Sequence, residues 1–201
     1  MVLSIQKPTF LHNQWGCPLT GKGPFYTVAR MKLFSFCPRC GAPDPIFEQD
    51  KRVFCPSCNL EYFHNVATAV GALLVSHGRL LLLERAQEPR KGKLALPGGF
   101  VDPGERVEDA LRRECEEEIG WKTDLPLSFL GSFPNIYRFQ GIDYHTCDLF
   151  FVIEPVYLEI KDLRLDPQEV AAVHLVPLDQ VSLPDLAFES SRRAITLYRE
   201  R

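Results

Sequence analysis

The feature that most constrains this 201-residue chain is a 23-residue stretch, Gly99 to Trp121, that crowds acids onto the inner side of a helix. It reads Gly99-Phe-Val-Asp-Pro-Gly-Glu105-Arg-Val-Glu-Asp-Ala-Leu-Arg-Arg113-Glu114-Cys-Glu-Glu117-Glu118-Ile-Gly120-Trp121. A Gly-Gly turn and a short loop lead into a helix predicted from about Glu105, and Gly120 is a natural stop because glycine accepts the left-handed conformation after a helix. At roughly 100° per residue, Val107, Ala110, Leu111, Cys115 and Ile119 share one face. Glu114 and Glu118 follow Val107 and Leu111 by seven residues, so they lie on or beside that apolar stripe, with Glu117 at its edge. Glu116, Glu108 and Asp109 fit an ordinary solvated face; Glu114 and Glu118 do not. A carboxylate on the core side needs a proton, an arginine or a metal ion. Three acids at i, i+3 and i+4 are relieved most simply by hard divalent cations, and Mg²⁺ keeps water ligands that suit a site also binding phosphate.

The stretch resembles the Nudix box, Gly-x5-Glu-x7-Arg-Glu-U-x-Glu-Glu-x-Gly-U, where U is a bulky apolar residue. All seven fixed positions are present as Gly99, Glu105, Arg113, Glu114, Glu117, Glu118 and Gly120, with Cys115 and Trp121 in the U places. The resemblance implies hydrolysis of a nucleoside diphosphate linked to another group X. It implies that Glu114, Glu117 and Glu118 carry catalytic Mg²⁺ or Mn²⁺, while Glu105 and Arg113 brace the loop against the helix. The fold it implies is α/β (α+β): a mixed β-sheet sandwiched between α-helices.

The remaining sequence is consistent with one full domain plus a small module. An apolar content of 45% can supply a packed core. The net charge of −3 gives no general attraction to nucleic acid or an anionic membrane. No apolar run has the length of a membrane span and no signal-peptide pattern opens the chain, so a cytoplasmic location is expected. Residues 1–31 carry several prolines and glycines without sustained periodicity and read as a flexible N-terminal arm, with Met31 a candidate true start. Trp15 and Cys17 within it read as incidental.

Cys37-Pro-Arg-Cys40-Gly41 and Cys55-Pro-Ser-Cys58-Asn59 form a second motif, two C-x2-C pairs 14 residues apart. This is the arithmetic of a four-cysteine zinc site, with Gly41 and Asn59 suited to the positive φ of such knuckles. With four thiolates no open position remains for a catalytic water, so Cys37, Cys40, Cys55 and Cys58 predict structural Zn²⁺ in a ribbon over residues 32–64. Arg39, Lys51 and Arg52 are too thin a basic patch to make the ribbon a nucleic-acid binder.

The main domain is expected over residues 65–201. Ala67–Val75 and Leu80–Leu83 flank Ser76–Arg79 and read as a hairpin with Gly78 in the turn. Arg85, Arg90 and Lys93 arrive just before the box, where a diphosphate needs cations. Leu127–Gly131, Tyr144–Glu154 and Val173–Val176 read as strands, and Leu186–Arg201 as a helix. Asp166-Pro-Gln-Glu169 is an acidic loop before the last strand, and Glu169 is the best-placed candidate for a general base outside the box. His64, His145 and His174 are scattered and read as structural.

A zinc ribbon ahead of a Nudix domain is the layout of the NADH pyrophosphatases, which this chain resembles over residues 32–201. Those enzymes carry Ser-Gln-Pro-Trp downstream of the box; here Ser132-Phe133-Pro134-Asn135 departs at two of the four places. A downstream proline or tyrosine marks the ADP-ribose and dinucleoside polyphosphate subgroups, and Pro134 and Tyr137 both fall in that zone. Recognition of X is expected in the downstream loop and the strands facing it, the region Phe133-Pro-Asn-Ile-Tyr137-Arg138-Phe139, with Phe133 and Tyr137 stacking on a ring, unless two of its rings are core residues of a strand pair, and with Arg85 and Arg138 meeting phosphate. The expected activity is Mg²⁺-dependent cleavage of NADH, NAD⁺ or ADP-ribose to AMP and a second phosphorylated product. The alternatives are a nucleotide-sensing regulator without catalysis, or a hydrolase of dinucleoside polyphosphates. The resemblance leaves a homodimer open.

Overall fold

The computed structural model describes residues 34–48, 51–154 and 156–201. The arm of residues 1–31, with Met31, Trp15 and Cys17, lies outside the described residues.

The first part is a three-stranded antiparallel sheet, β1 (Ile46–Glu48), β2 (Arg52–Phe54) and β3 (Glu61–Phe63). Two knuckles flank it and repeat one hydrogen-bond pattern. Gly41 N–H donates to Cys37 O and Asn59 N–H to Cys55 O, both at 2.9 Å, with Gly41 and Asn59 at positive φ. These are the conformations the residue types after each C-x2-C predict.

The second part is a six-stranded sheet with a helix on each side. Its strands are β4 (Ala67–Ser76), β5 (Arg79–Arg85), β6 (Leu94–Ala95), β7 (Ser128–Phe139), β8 (Ile142–Ile153) and β9 (Val170–Pro177), in the order β6-β5-β4-β8-β7 with β9 beside β5. The helices are α1 (Val107–Ile119) and α2 (Glu189–Arg199). β4 pairs parallel to β8 from Ala67↔Thr146 to Leu74↔Ile153, and is buried from Val70 onward. That two-sided burial explains why its sequence is a continuous apolar run rather than an alternation.

Two cores divide the side chains by parity. Val70, Ala72 and Leu74 of β4 and Leu81 and Leu83 of β5 join Ala110, Leu111, Cys115 and Ile119 of α1. Leu73 and Val75 of β4 and Leu80 and Leu82 of β5 join Ala194 and Ile195 of α2 on the other side. The architecture is therefore the expected mixed sheet between helices.

The β4–β5 hairpin turns at His77-Gly78, both at positive φ, as a two-residue turn that matches strand twist. Two local expectations are corrected. The strand expected over Leu127–Gly131 is longer: β7 runs on to Phe139 and returns through Gln140-Gly141 into β8, so Phe133–Phe139 lies in a strand pair. Pro134 is tolerated there because β7 is the sheet's edge strand, where a missing donor costs no ladder bond. The last helix begins at Glu189 rather than Leu186, because Leu183–Asp185 forms a 3-10 turn that buries Leu186 first.

Candidate active site

Burial of Ala110, Leu111, Cys115 and Ile119 sets the rotation of α1, and Gly120 at φ 66° ends it. Gly120 N–H donates to Glu116 O at 2.9 Å and Trp121 N–H to Cys115 O at 3.2 Å. That rotation turns Glu118 inward until 9% of it is exposed, with Glu114 beside it at 12% side-chain exposure. Gly98 N–H donates to Glu118 Oε2 at 2.8 Å. A Cβ on Gly99 would lie 2.6 Å from Glu114 Oε1, and one on Gly98 would lie 2.1 Å from Val70 O. The Gly-Gly pair is thus the place where β4, the loop and the acids of α1 come closer than any side chain would permit.

Electrostatics follow from this packing. Burial pushes the Glu118 carboxyl up to about 8; the charges of Glu114 and Glu169 add to the effect, while the Gly98 amide and Arg85 oppose it. Burial likewise raises Glu114, against the pull of Arg113. Arg113 is the brace of the site. Its Nε and Nη2 donate to the two oxygens of Glu105 at 2.9 and 3.0 Å, and Nη2 also reaches Phe100 O at 3.0 Å. Its Nη1 donates to Glu114 Oε1 at 2.8 Å and to Glu117 Oε2 at 2.9 Å. Arg113 holds the Glu105 carboxyl below the usual range, helped by Asp102 N–H, which donates to it at 3.1 Å.

Glu169 arrives from far along the chain because its loop is tied to the end of α1. Arg164 N–H donates to Ile119 O at 2.9 Å and Asp166 N–H to Glu118 O at 3.0 Å. Glu169 O then accepts from Ala86 N–H at 2.8 Å, next to Arg85. Glu114, Glu118, Glu169, Arg85 and Arg113 all line a cavity of about 300 Å³. Aromatic rings form another of its walls. Tyr137 lies 5.8 Å from Phe188 and 5.5 Å, edge to face, from Phe100, and the Arg85 guanidinium sits 5.2 Å from the Phe188 centroid. Arg85 is steadied by its Nε donating to Pro89 O at 2.8 Å.

Acids of one helix that face a cavity with a cation and a ring wall match the pattern read in the sequence, and residues 64–198 match the NUDIX domain. The chain belongs to the Nudix family. It is 36% identical over 100 residues to the NAD-capped RNA hydrolase NudC of Chromobacterium violaceum, covering 49% of this chain and 37% of that protein. It is 34% identical over 132 residues to the ADP-ribose pyrophosphatase of Methanocaldococcus jannaschii, covering 65% and 72%. Human mitochondrial NAD(P)H pyrophosphatase NUDT13 is 38% identical over 89 residues, covering 44% and 25%. The matched stretch thus spans 37% of the Chromobacterium protein and 25% of the human one, less than two thirds of either. Among solved structures, a MutT Nudix hydrolase from Burkholderia pseudomallei superposes with a TM-score of 0.56 at 28% identity, covering 66% of this chain and 98% of that one.

Within this Nudix domain the sequence candidates separate. Glu114, Glu118, Glu169, Arg85 and Tyr137 meet at the cavity. Glu117, with 58% of its side chain exposed, lies outside that lining and is held by Arg113. Among the described residues the carboxylates do not gather as the cysteines do, whose four Sγ atoms all lie within 4.8 Å of one another. Phe133 packs on Phe150, ring centroids 6.0 Å apart, beside the core under α2 rather than at the cavity. Arg138 points to the opposite face of β7 from Tyr137 and pairs with Asp143 at 2.5 and 2.7 Å. Strand period two accounts for it: neighbours 137 and 138 cannot share a face. Asn135, within the stretch expected to recognise X, also lines the cavity; sequence reasoning missed Phe100, although it lies inside the box, and Phe188, Thr146 and Asp148. The last three carry no local signal and reach the cavity through strand register and the entry to α2.

The ribbon cysteines fit a metal ion by the chemistry of their thiols. Sγ atoms of Cys37 and Cys58, and of Cys40 and Cys55, stand 3.7 Å apart, and no described cysteine is in a disulfide. Burial disfavours the Cys37 thiolate, yet the amides of Cys40 and Arg39 and the neighbouring thiols bring it down to about 6. Burial and the same neighbours push Cys58 up to about 12. A divalent cation at the centre of the four sulfurs favours the thiolate form and relieves the cost of the Cys58 charge.

Proposed function

We propose that this chain is a Mg²⁺- or Mn²⁺-dependent pyrophosphohydrolase of nucleoside diphosphates linked to X, with NAD(H) ahead of ADP-ribose. It releases AMP and a second phosphorylated product by cleavage at the central pyrophosphate. The observation that carries the reading is the pair of a buried Glu118 and a half-buried Glu114, which line one cavity with Arg85 and Glu169. Carboxyls so placed are a hard-oxygen donor set suited to Mg²⁺ or Mn²⁺, held by Glu114 and Glu118 with Glu117 at the rim. Such a metal, when bound, neutralises the diphosphate and acidifies a water.

The chain's own groups have distinct tasks in this reading. Arg85 meets a phosphate oxygen, and the Tyr137–Phe188–Phe100 wall stacks on a ring of the substrate. Glu169 takes the proton from the water that attacks phosphorus, as the bridging P–O bond breaks and its electrons leave with the departing phosphate. Arg113, held by Glu105, keeps Glu114 and Glu117 in place. The names of the relatives, acting on NAD-capped RNA, NAD(P)H and ADP-ribose, support a pyrophosphate bridge as the target. Residues 32–64 act as a ribbon folded by one structural Zn²⁺ on Cys37, Cys40, Cys55 and Cys58, which plays no part in the chemistry.

The test is a product assay with and without Mg²⁺ over NADH, NAD⁺, ADP-ribose, a NAD-capped oligoribonucleotide, diadenosine polyphosphates and dGTP. Release of AMP from NADH faster than from the others is expected. Preference for dGTP over every pyrophosphate-bridged compound, or no cleavage with metal, overturns the reading.

A further inference from the structure

The cavity continues past the carboxylates onto the α2 side of the sheet, and its far wall holds polar atoms that no protein group satisfies. Thr146 and Asp148 are 3% and 8% exposed, and Thr146 Oγ1 and Asp148 Oδ1 are buried without a hydrogen-bond partner. Both residues line the cavity. They sit two apart on β8, so they share a face; β4 sets Ala67 and Ala69 beside them in register, and β7 sets Asn135 beside Thr146 and Phe133 beside Asp148. Asp148 Oδ2 is already used, accepting from Ser190 Oγ–H in the first turn of α2 at 2.6 Å. That bond aims the other oxygen. A buried acceptor left open in a folded chain calls for a partner from outside, since an unmet one carries a free-energy penalty.

We infer that Asp148 Oδ1 and Thr146 Oγ1 form a specificity subsite for a ring bearing an amino group beside an acceptor. A carboxylate oxygen only accepts, and a hydroxyl can donate. The pair therefore complements an N–H donor next to a nitrogen or carbonyl oxygen, which is the amine edge of adenine or the carboxamide of nicotinamide. A divalent cation is a poor match, because one oxygen of one carboxylate beside neutral hydroxyls leaves most of its charge unmet. The inference rests on the hydrolase reading only for which molecule enters the cavity.

The experiment titrates the full chain, in chelator, with two pairs of mononucleotides: AMP against purine riboside monophosphate, and nicotinamide mononucleotide against nicotinic acid mononucleotide. In each pair the second member has lost the amine. The wild type should bind the amine-bearing member of one pair roughly ten- to a hundredfold tighter, and the pair that responds identifies the ring. Asp148→Asn keeps an oxygen for Ser190 and offers an N–H instead of an acceptor, so it should erase or reverse that preference. Thr146→Val, which removes only the hydroxyl, should weaken it and serves if Asp148→Asn does not fold by thermal melting. Equal binding within both pairs by the wild type, or equal weakening of both members by the variants, overturns the inference. Cleavage assayed separately with Mg²⁺ keeps the two readings apart: amine preference without cleavage refutes the hydrolase reading alone, and cleavage without amine preference refutes the subsite alone.

Discussion

Replacing Glu118 with glutamine should inactivate the enzyme and, at the same time, stabilise the metal-free protein. The amide is isosteric and retains an oxygen for the Gly98 N–H, which Glu118 now accepts at 2.8 Å. What disappears is the charge. Burial moves this carboxyl from 4.5 to about 8, so at neutral pH the unfolded chain releases a proton that the folded chain keeps. Below pH 4.5 both states are protonated and nothing is lost; as pH rises toward 8 the folded state is progressively disfavoured, by roughly 3 kcal/mol at pH 7. Glutamine removes that penalty. In chelator, the variant should melt several degrees above the parent at pH 7.5, and the gap should close toward pH 4.5. With Mg²⁺ the order reverses in consequence: the parent gains stability by binding the ion and the variant gains little. Its kcat/KM should fall by a factor of at least about 10²–10³, the size of loss seen when one charge-stabilising group is removed. Melting curves against pH, with and without Mg²⁺, and steady-state turnover of NADH measure all of this. A metal-free variant that melts no higher than the parent at pH 7.5, or that turns over within tenfold of it, would refute the reasoning.

Three further predictions follow from the same geometry. Glu169→Gln should lower kcat by a factor of about 10²–10⁴ with little change in KM, and an unaltered kcat in the variant would return the base to the box. Gly99→Ala should place a methyl 2.6 Å from Glu114 Oε1 and displace that carboxyl; tenfold or greater loss of activity is expected from so small a change, and full activity in a kinetic assay would contradict the close approach. Elemental analysis should find about one zinc per chain, and Cys58→Ser should abolish protection of the 34–63 amides from hydrogen exchange while leaving α1 protected; joint loss of protection in both would show that the ribbon is not independently organised by the metal.

The box helix was legible in the sequence because its information is local. A period of 3.6 residues places Ala110, Leu111, Cys115 and Ile119 inward, and the same rotation carries Glu114 and Glu118 with them. The knuckles were legible for the same reason, since a C-x2-C turn and the residue after it close on themselves. The β7 region was not. Its Pro134 and Asn135 have turn-forming chemistry, and only the edge position of the strand makes them acceptable there.

Once β7 is a strand, a single phase decides which of its side chains faces the cavity, and that phase sends Tyr137 to the cavity and Arg138 to Asp143. Register is a property of the pairing with β8. Phe188, Thr146 and Asp148 reach the cavity the same way, through contacts between segments distant in the chain. The chain's local chemistry therefore determined the inward acids of the box helix and the two cysteine knuckles. Which polar and aromatic groups line the cavity was decided by the tertiary structure, because side chains supplied by separate strands and a helix have no spacing to read until those elements are packed.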